Sequence, residues 1–85
     1  MNLDNFESLV DAQIVSRGKK YHKDGNVLYV EESRDNLWVA EVDGTETYNV
    51  EITLENREIT DHFCDCPYDG EVCKHTVAVL YELRT

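Results

Sequence analysis

Apolar side chains recur at helical spacing through the first two dozen residues, at Leu3, Phe6, Leu9/Val10, Ile14 and Tyr21. This pattern predicts an N-terminal helix, broken near Val10-Asp11. Gly18 falls inside it, where glycine costs about 1 kcal/mol relative to alanine, so it signals either a close backbone approach or a frayed end. Asp24-Gly25-Asn26 then stops the helix.

From Val27 the period changes to two. Val27 to Glu32, Leu37 to Val42 and Thr47 to Leu54 are rich in β-branched and aromatic residues, and Tyr48, Val50, Ile52 and Leu54 alternate with Asn49, Glu51 and Thr53. Ser33-Arg-Asp-Asn, Asp43-Gly-Thr-Glu and Glu55-Asn-Arg read as turns, and Glu58 to Phe63 reads as a fourth strand. Short connections make the neighbours antiparallel. Val77-Ala-Val-Leu-Tyr-Glu-Leu reads as a final helix. The predicted fold is α+β: an N-terminal helix, a four-stranded antiparallel β-meander, a cysteine-bearing turn and a C-terminal helix. The apolar face of the sheet needs a cover, and the N-terminal helix and the Val77 to Leu83 helix are the candidates. Trp38, Phe63, Tyr29 and Tyr48 are assigned to the core or sheet in preference to a base-stacking platform, and the acidic strand faces to solvated surface.

Every cysteine of the chain lies in one short C-terminal segment, as Cys64, Cys66, Cys73 and His75 in a C-x-C-x6-C-x-H cluster. Three thiolates and one imidazole complete the tetrahedral set of a structural Zn²⁺. Cys64 and Cys66, one residue apart in extended chain, form one pincer; Cys73 and His75 form the other. Pro67, Tyr68, Asp69 and Gly70 between them suit a chain reversal. The second pincer would occupy the first turn of the last helix, where free N–H groups and the helix dipole favour a thiolate. Simple burial of the thiols explains the clustering less well. An odd cysteine count and the strain of a Cys64–Cys66 bridge argue against a disulfide. His62 is a substitute ligand candidate, and His22 reads as a polar helix residue.

Composition narrows the class. The 85 residues suit one small domain, residues 1–85, of a size that often needs a staple, and 41% hydrophobic content with a single proline points to a folded chain. The last helix runs to the final residue, which leads us to expect the N-terminal portion of a longer protein. No apolar stretch approaches the ~20 residues of a membrane span and no signal segment opens the chain. Zinc-binding thiols need a reducing setting, so a cytoplasmic, intracellular location is expected.

The net charge is -10, yet residues 17–23 carry +4 through Arg17, Lys19, Lys20 and Lys23. So acidic a chain repels phosphate at long range. Nucleic-acid contact would have to use those four residues and Lys74 as one local basic patch; the bland alternative is the wet face of a helix. A low thiol pKa beside Lys74 would permit a redox switch if zinc were absent. No nucleophile–base spacing or P-loop motif appears, so no enzymatic activity is expected.

With both pincers placed, the chain resembles the SWIM-type zinc finger, whose motif is C-x-C-x(n)-C-x-H. The resemblance covers about residues 12–83: Ile14-Val-Ser-Arg-Gly-Lys-Lys-Tyr-His-Lys-Asp-Gly-Asn-Val looks like the family's upstream helix and turn, and Cys64-Asp-Cys-Pro-Tyr with Cys73-Lys-His-Thr-Val-Ala-Val-Leu like its metal segment. It implies Cys64, Cys66, Cys73 and His75 as ligands of one structural zinc. It further implies an interaction module making protein–protein or interdomain contacts, for instance as an accessory domain of a SWI/SNF-type helicase-like protein. The alternative it allows is DNA binding through the basic helix patch.

Overall fold

The fold is described from a computed structural model over residues 1–68 and 70–85. Asp69, part of the expected reversal between the pincers, lies outside the described residues. The break in the N-terminal helix falls at Asp11. Its carboxylate accepts the main-chain N–H groups of Gln13 at 3.0 Å and Ile14 at 3.3 Å, so it caps a new helix and leaves a single turn before it. The elements are therefore α1 (Phe6–Leu9) and α2 (Ala12–Lys23). At the other end of α2, Gly25 takes φ +77°, its N–H reaches the His22 carbonyl at 3.1 Å, and the Asn26 N–H reaches the Tyr21 carbonyl at 2.9 Å. Those two bonds satisfy carbonyls that the helix end leaves free.

Four strands follow, β1 (Val27–Arg34), β2 (Leu37–Asp43), β3 (Thr47–Glu55) and β4 (Glu58–Cys64), in the order β1-β2-β3-β4, all neighbours antiparallel. The β3–β4 connection is a two-residue turn with Asn56 at φ 52° and Arg57 at φ 70°. Positive φ at both positions matches the twist of the flanking strands. The N-terminus adds a short pairing that the sequence pattern does not reveal. Ile59 donates to the Met1 carbonyl at 2.9 Å and Leu3 to the Arg57 carbonyl at 3.0 Å, covering the start of the β4 edge.

The last helix, α3 (Lys74–Arg84), starts three residues earlier than its apolar run. His75 to Tyr81 are buried without a gap. A helix buried on every side needs partners on every side. The sheet supplies one, through Ala40, Val42, Val50, Ile52 and Ile59, while Leu3, Phe6, Ile14, Val15 and Tyr21 complete the core from the N-terminal segment and α2. Of the two candidate covers, α3 lies on the sheet, and α2 packs against α3. Gly18 makes this possible. A Cβ there would collide with the Val77 side chain and sit 2.9 Å from the Lys74 carbonyl oxygen, so the glycine marks a close approach. His22 joins the same junction, stacked on Tyr81 at 6.0 Å with Nε2 3.1 Å from Glu82 Oε1.

Among the described residues no helix covers the outer face of the sheet. Cross-strand partners share a face, so Glu31, Val39, Glu51 and Phe63 form one row across all the strands, with Tyr29 and Glu41 beside it. Tyr48 is buried and Trp38 half-buried, whereas Tyr29 and Phe63 are exposed on this open face. Leu9 is exposed too, so Val10 supplies the apolar contact at that position. Among the described residues no helix is long and apolar enough to cross a membrane.

Candidate metal centre

A bulge in β4 aims the first pincer. Thr53 pairs with Asp61 but Leu54 pairs with Ile59, so Thr60 is an extra residue that reverses the facing of everything after it. Without it Cys64 would face outward with Thr60 and His62. With it, Cys64 lies opposite Val50 on the inner face, towards α3. The residue between the two cysteines is then pinned. Asp65 accepts the Asn49 main-chain N–H and the Asn49 side-chain amide, each at 2.9 Å, and returns its own N–H to the Asn49 carbonyl at 3.2 Å. The Asn49 side-chain bond, with its main-chain bond, holds the Asp65 carboxyl below the usual carboxylate range.

The second pincer opens α3. Cys73 is the N-cap, and its sulfur accepts the Thr76 main-chain N–H at 3.4 Å, with Thr76 Oγ1 at 3.5 Å. Few residue types put an acceptor at this point; a cysteine thiolate does so while leaving its sulfur able to bind metal. His75 follows within the first turn, nearly fully buried. Its ring is held edge-on to Tyr21 at 5.4 Å and tilted over Tyr48 at 4.5 Å. Gly44 closes this wall: a Cβ there would come within 3.0 Å of the Tyr48 ring and 3.2 Å of His75 Nε2.

These supports bring the four side chains together. Their ligand atoms all lie within 4.8 Å of one another. His75 Nδ1 is 3.9 Å from the Cys64 sulfur and 3.8 Å from the Cys73 sulfur. A tetrahedron with Zn–S of about 2.3 Å and Zn–N of about 2.0 Å has edges of roughly 3.5 to 3.8 Å, so the donor set fits Zn²⁺ with little rearrangement. Charge distribution agrees. A hydrogen bond from Cys64, then those from His75 and Thr76, pull the Cys73 thiol down to about 3, while Cys73 and burial push Cys64 up. A dication held between the two sulfurs would supply a charge that favours both thiolates. Four protein ligands leave no open position for water, as in a structural site.

His62 stands outside the set. It pairs across with Ile52 one position before Phe63, and the histidine that joins the cysteines is His75. The basic residues separate into two places. Arg17 and Lys74 line a groove beside the centre, with Lys74 Nζ 5.2 Å from the Tyr21 ring centroid. Lys20 flanks them but is paired with Asp24 at 3.0 Å. Lys19 and Lys23, four residues apart, occupy another flank of α2. Sequence reasoning missed Asn49, Asp65, Thr76 and the tyrosines around His75. Only Asp65 and Thr76 carried a usable signal, through their adjacency to ligands.

The family model of the SWIM zinc finger matches residues 48–84, from β3 through α3. The chain is also similar to the uncharacterized protein MJ1493 of Methanocaldococcus jannaschii, with 34% identity over 70 residues. That alignment takes in 82% of this chain and 29% of the archaeal protein, so the chain spans less than a third of that relative's length. No solved structure matches. The match from Tyr48 to Arg84 and the assembled Cys64–Cys66–Cys73–His75 set lead to one conclusion: residues 48–84 form a SWIM zinc finger with a site for one structural zinc ion.

Proposed function

We propose that this zinc-binding module serves as an interaction domain, making contacts with a protein partner or with another domain of a parent chain, and has no catalytic role of its own. The observation that carries the proposal is the open face of the sheet. Phe63 is 54% and Tyr29 43% exposed there, set among Glu31, Glu41, Glu51 and Asp61. Apolar anchors ringed by one sign of charge suit a partner that brings apolar groups and Lys or Arg side chains. The zinc would act at a distance from this face, by joining β4 to α3 and so holding the sheet against its helix.

A place inside a larger protein agrees with the archaeal relative, of which the aligned segment makes up 29%. A cytoplasmic, reducing setting agrees with three metal-binding thiols. The separation of Lys19 and Lys23 from Arg17 and Lys74 favours the protein-binding reading over a DNA-binding patch.

Amide NMR shifts of the zinc-loaded protein, titrated with an amphipathic peptide of lysine and leucine, test the proposal. Shifts should concentrate at residues 29, 31, 39, 51 and 63, and Phe63→Ser or Glu51→Lys should weaken binding about tenfold. Shifts scattered over the surface, or unchanged affinity in both variants, would contradict it.

A further inference from the structure

Away from the open face of the sheet, a groove of about 320 Å³ runs between α2 and the segment that carries the metal ligands. Its floor and walls are aromatic, with Tyr21 from α2, Tyr48 from β3 and Tyr68 from the metal segment. Arg17 and Lys74 stand at its margin. Among the described residues no acidic side chain lines this groove. Among the described residues neither Arg17 nor Lys74 makes an ion pair, whereas Lys20, Arg57 and Arg84 each have a carboxylate partner. Among the described residues, two cations that share one apolar groove with no acidic side chain beside them suit a carboxylate on an apolar segment.

We propose that this groove docks an acidic peptide segment of a protein partner, with an aromatic or aliphatic side chain against Tyr21, Tyr48 and Tyr68 and a carboxylate between Arg17 and Lys74. The inference rests on the interaction-domain reading and deepens it by naming a second surface and its ligand. A desolvated aromatic floor rewards burial of one apolar side chain, and cations at the rim select the charge beside it. At physiological salt the surrounding negative charge is screened beyond about 8 Å, so the local pair decides what binds. A nucleic acid strand would continue past the groove with a phosphate at every step and meet Asp24 on one side and Glu71 on the other. A peptide with isolated carboxylates avoids that repulsion.

The metal centre is part of the groove. Cys66 and His75 line it, Tyr68 follows Cys66 by two residues, and Lys74 lies between the ligands Cys73 and His75. Zinc fixes the positions of Tyr68 and Lys74 relative to Arg17, so peptide binding should require the metal.

Fluorescence anisotropy on the zinc-loaded protein tests this. The probes are a fluorescein-labelled peptide alternating aspartate and phenylalanine, its asparagine and lysine counterparts, and an oligothymidylate. The acidic peptide should bind best, and Arg17→Glu and Lys74→Gln should each weaken it about tenfold. Lys23→Glu, on the other flank of α2, should leave it within about twofold. Zinc content and thermal melts of the variants establish that the fold is intact. Equal binding of the asparagine peptide, preference for the oligothymidylate, no binding of the acidic peptide, or indifference to Arg17→Glu overturns the proposal. A lysine peptide whose binding is lost in Phe63→Ser and kept in Arg17→Glu, with no acidic-peptide binding, overturns the groove assignment alone and leaves the interaction domain standing.

Discussion

Asp65 holds Asn49 by both carboxylate oxygens, one on the main-chain N–H and one on the side-chain amide, each at 2.9 Å. The clamp joins the middle of the Cys-x-Cys pincer to the neighbouring strand. It sets where Cys66 leaves the sheet, and no ligand residue takes part in it. Groups that orient metal ligands typically contribute 10–100-fold in affinity. Asp65→Ala should therefore retain all four ligands and lower zinc affinity by about tenfold. Competition against a chromophoric chelator measures this, and an unchanged affinity would show that the pincer is held by other means.

Gly18 makes a second, opposite kind of prediction. On helix propensity alone, Gly18→Ala should stabilise α2 by about 1 kcal/mol. The Cβ would instead press into Val77 and the Lys74 carbonyl, where α2 and α3 are closest. Overpacking typically costs about 1 to 3 kcal/mol, so the substitution should destabilise the fold on balance. A lowered Tm in a thermal melt is the expected result; a raised one would mean that the helices move apart without cost.

Much of this arrangement was legible before the structure, and the exceptions share a cause. Asp11 announced the helix break because a capping carboxylate acts within its own turn. The alternation from Tyr48 to Leu54 announced a strand with one wet face for a similarly local reason. The four ligands were readable because zinc chemistry restricts residue type. By contrast, Ile59 and Phe63 have the same parity, and simple alternation would bury both. The extra residue at Thr60 puts Phe63 on the open face and Cys64 on the inner one. The Asn49–Asp65 clamp depends on the same cross-strand register, which no local pattern encodes. The apolar run from Val77 announced the final helix, but which element lay on which side of it depended on a contact between Gly18 and Val77.

The acid limb of stability should depend on Glu7. Its carboxylate bonds to Arg84 at 2.8 Å and to the Tyr81 hydroxyl at 2.5 Å, and these bonds hold it below the usual carboxylate range. A lowered folded-state pKa means that the stabilisation is fully present above the unfolded value, near 4.5, and is lost as pH falls through the folded one. Glu7→Gln should thus be less stable than the parent at neutral pH, with the gap closing as the pH drops below about 4. Denaturant unfolding of both proteins across that range measures it. Because zinc release affects both chains alike, the difference isolates Glu7; a gap independent of pH would contradict the ion-pair account.

The central claim is that zinc at Cys64, Cys66, Cys73 and His75 holds the end of β4 to the start of α3. Thermal unfolding followed by circular dichroism, before and after complete metal removal with a strong chelator, tests it most directly. The zinc-loaded protein should melt cooperatively, the stripped protein and the Cys64→Ser/Cys73→Ser variant should not, and one equivalent of Zn²⁺ should restore the transition only in the parent chain. A cooperative melt at unchanged Tm after complete chelation would contradict the account.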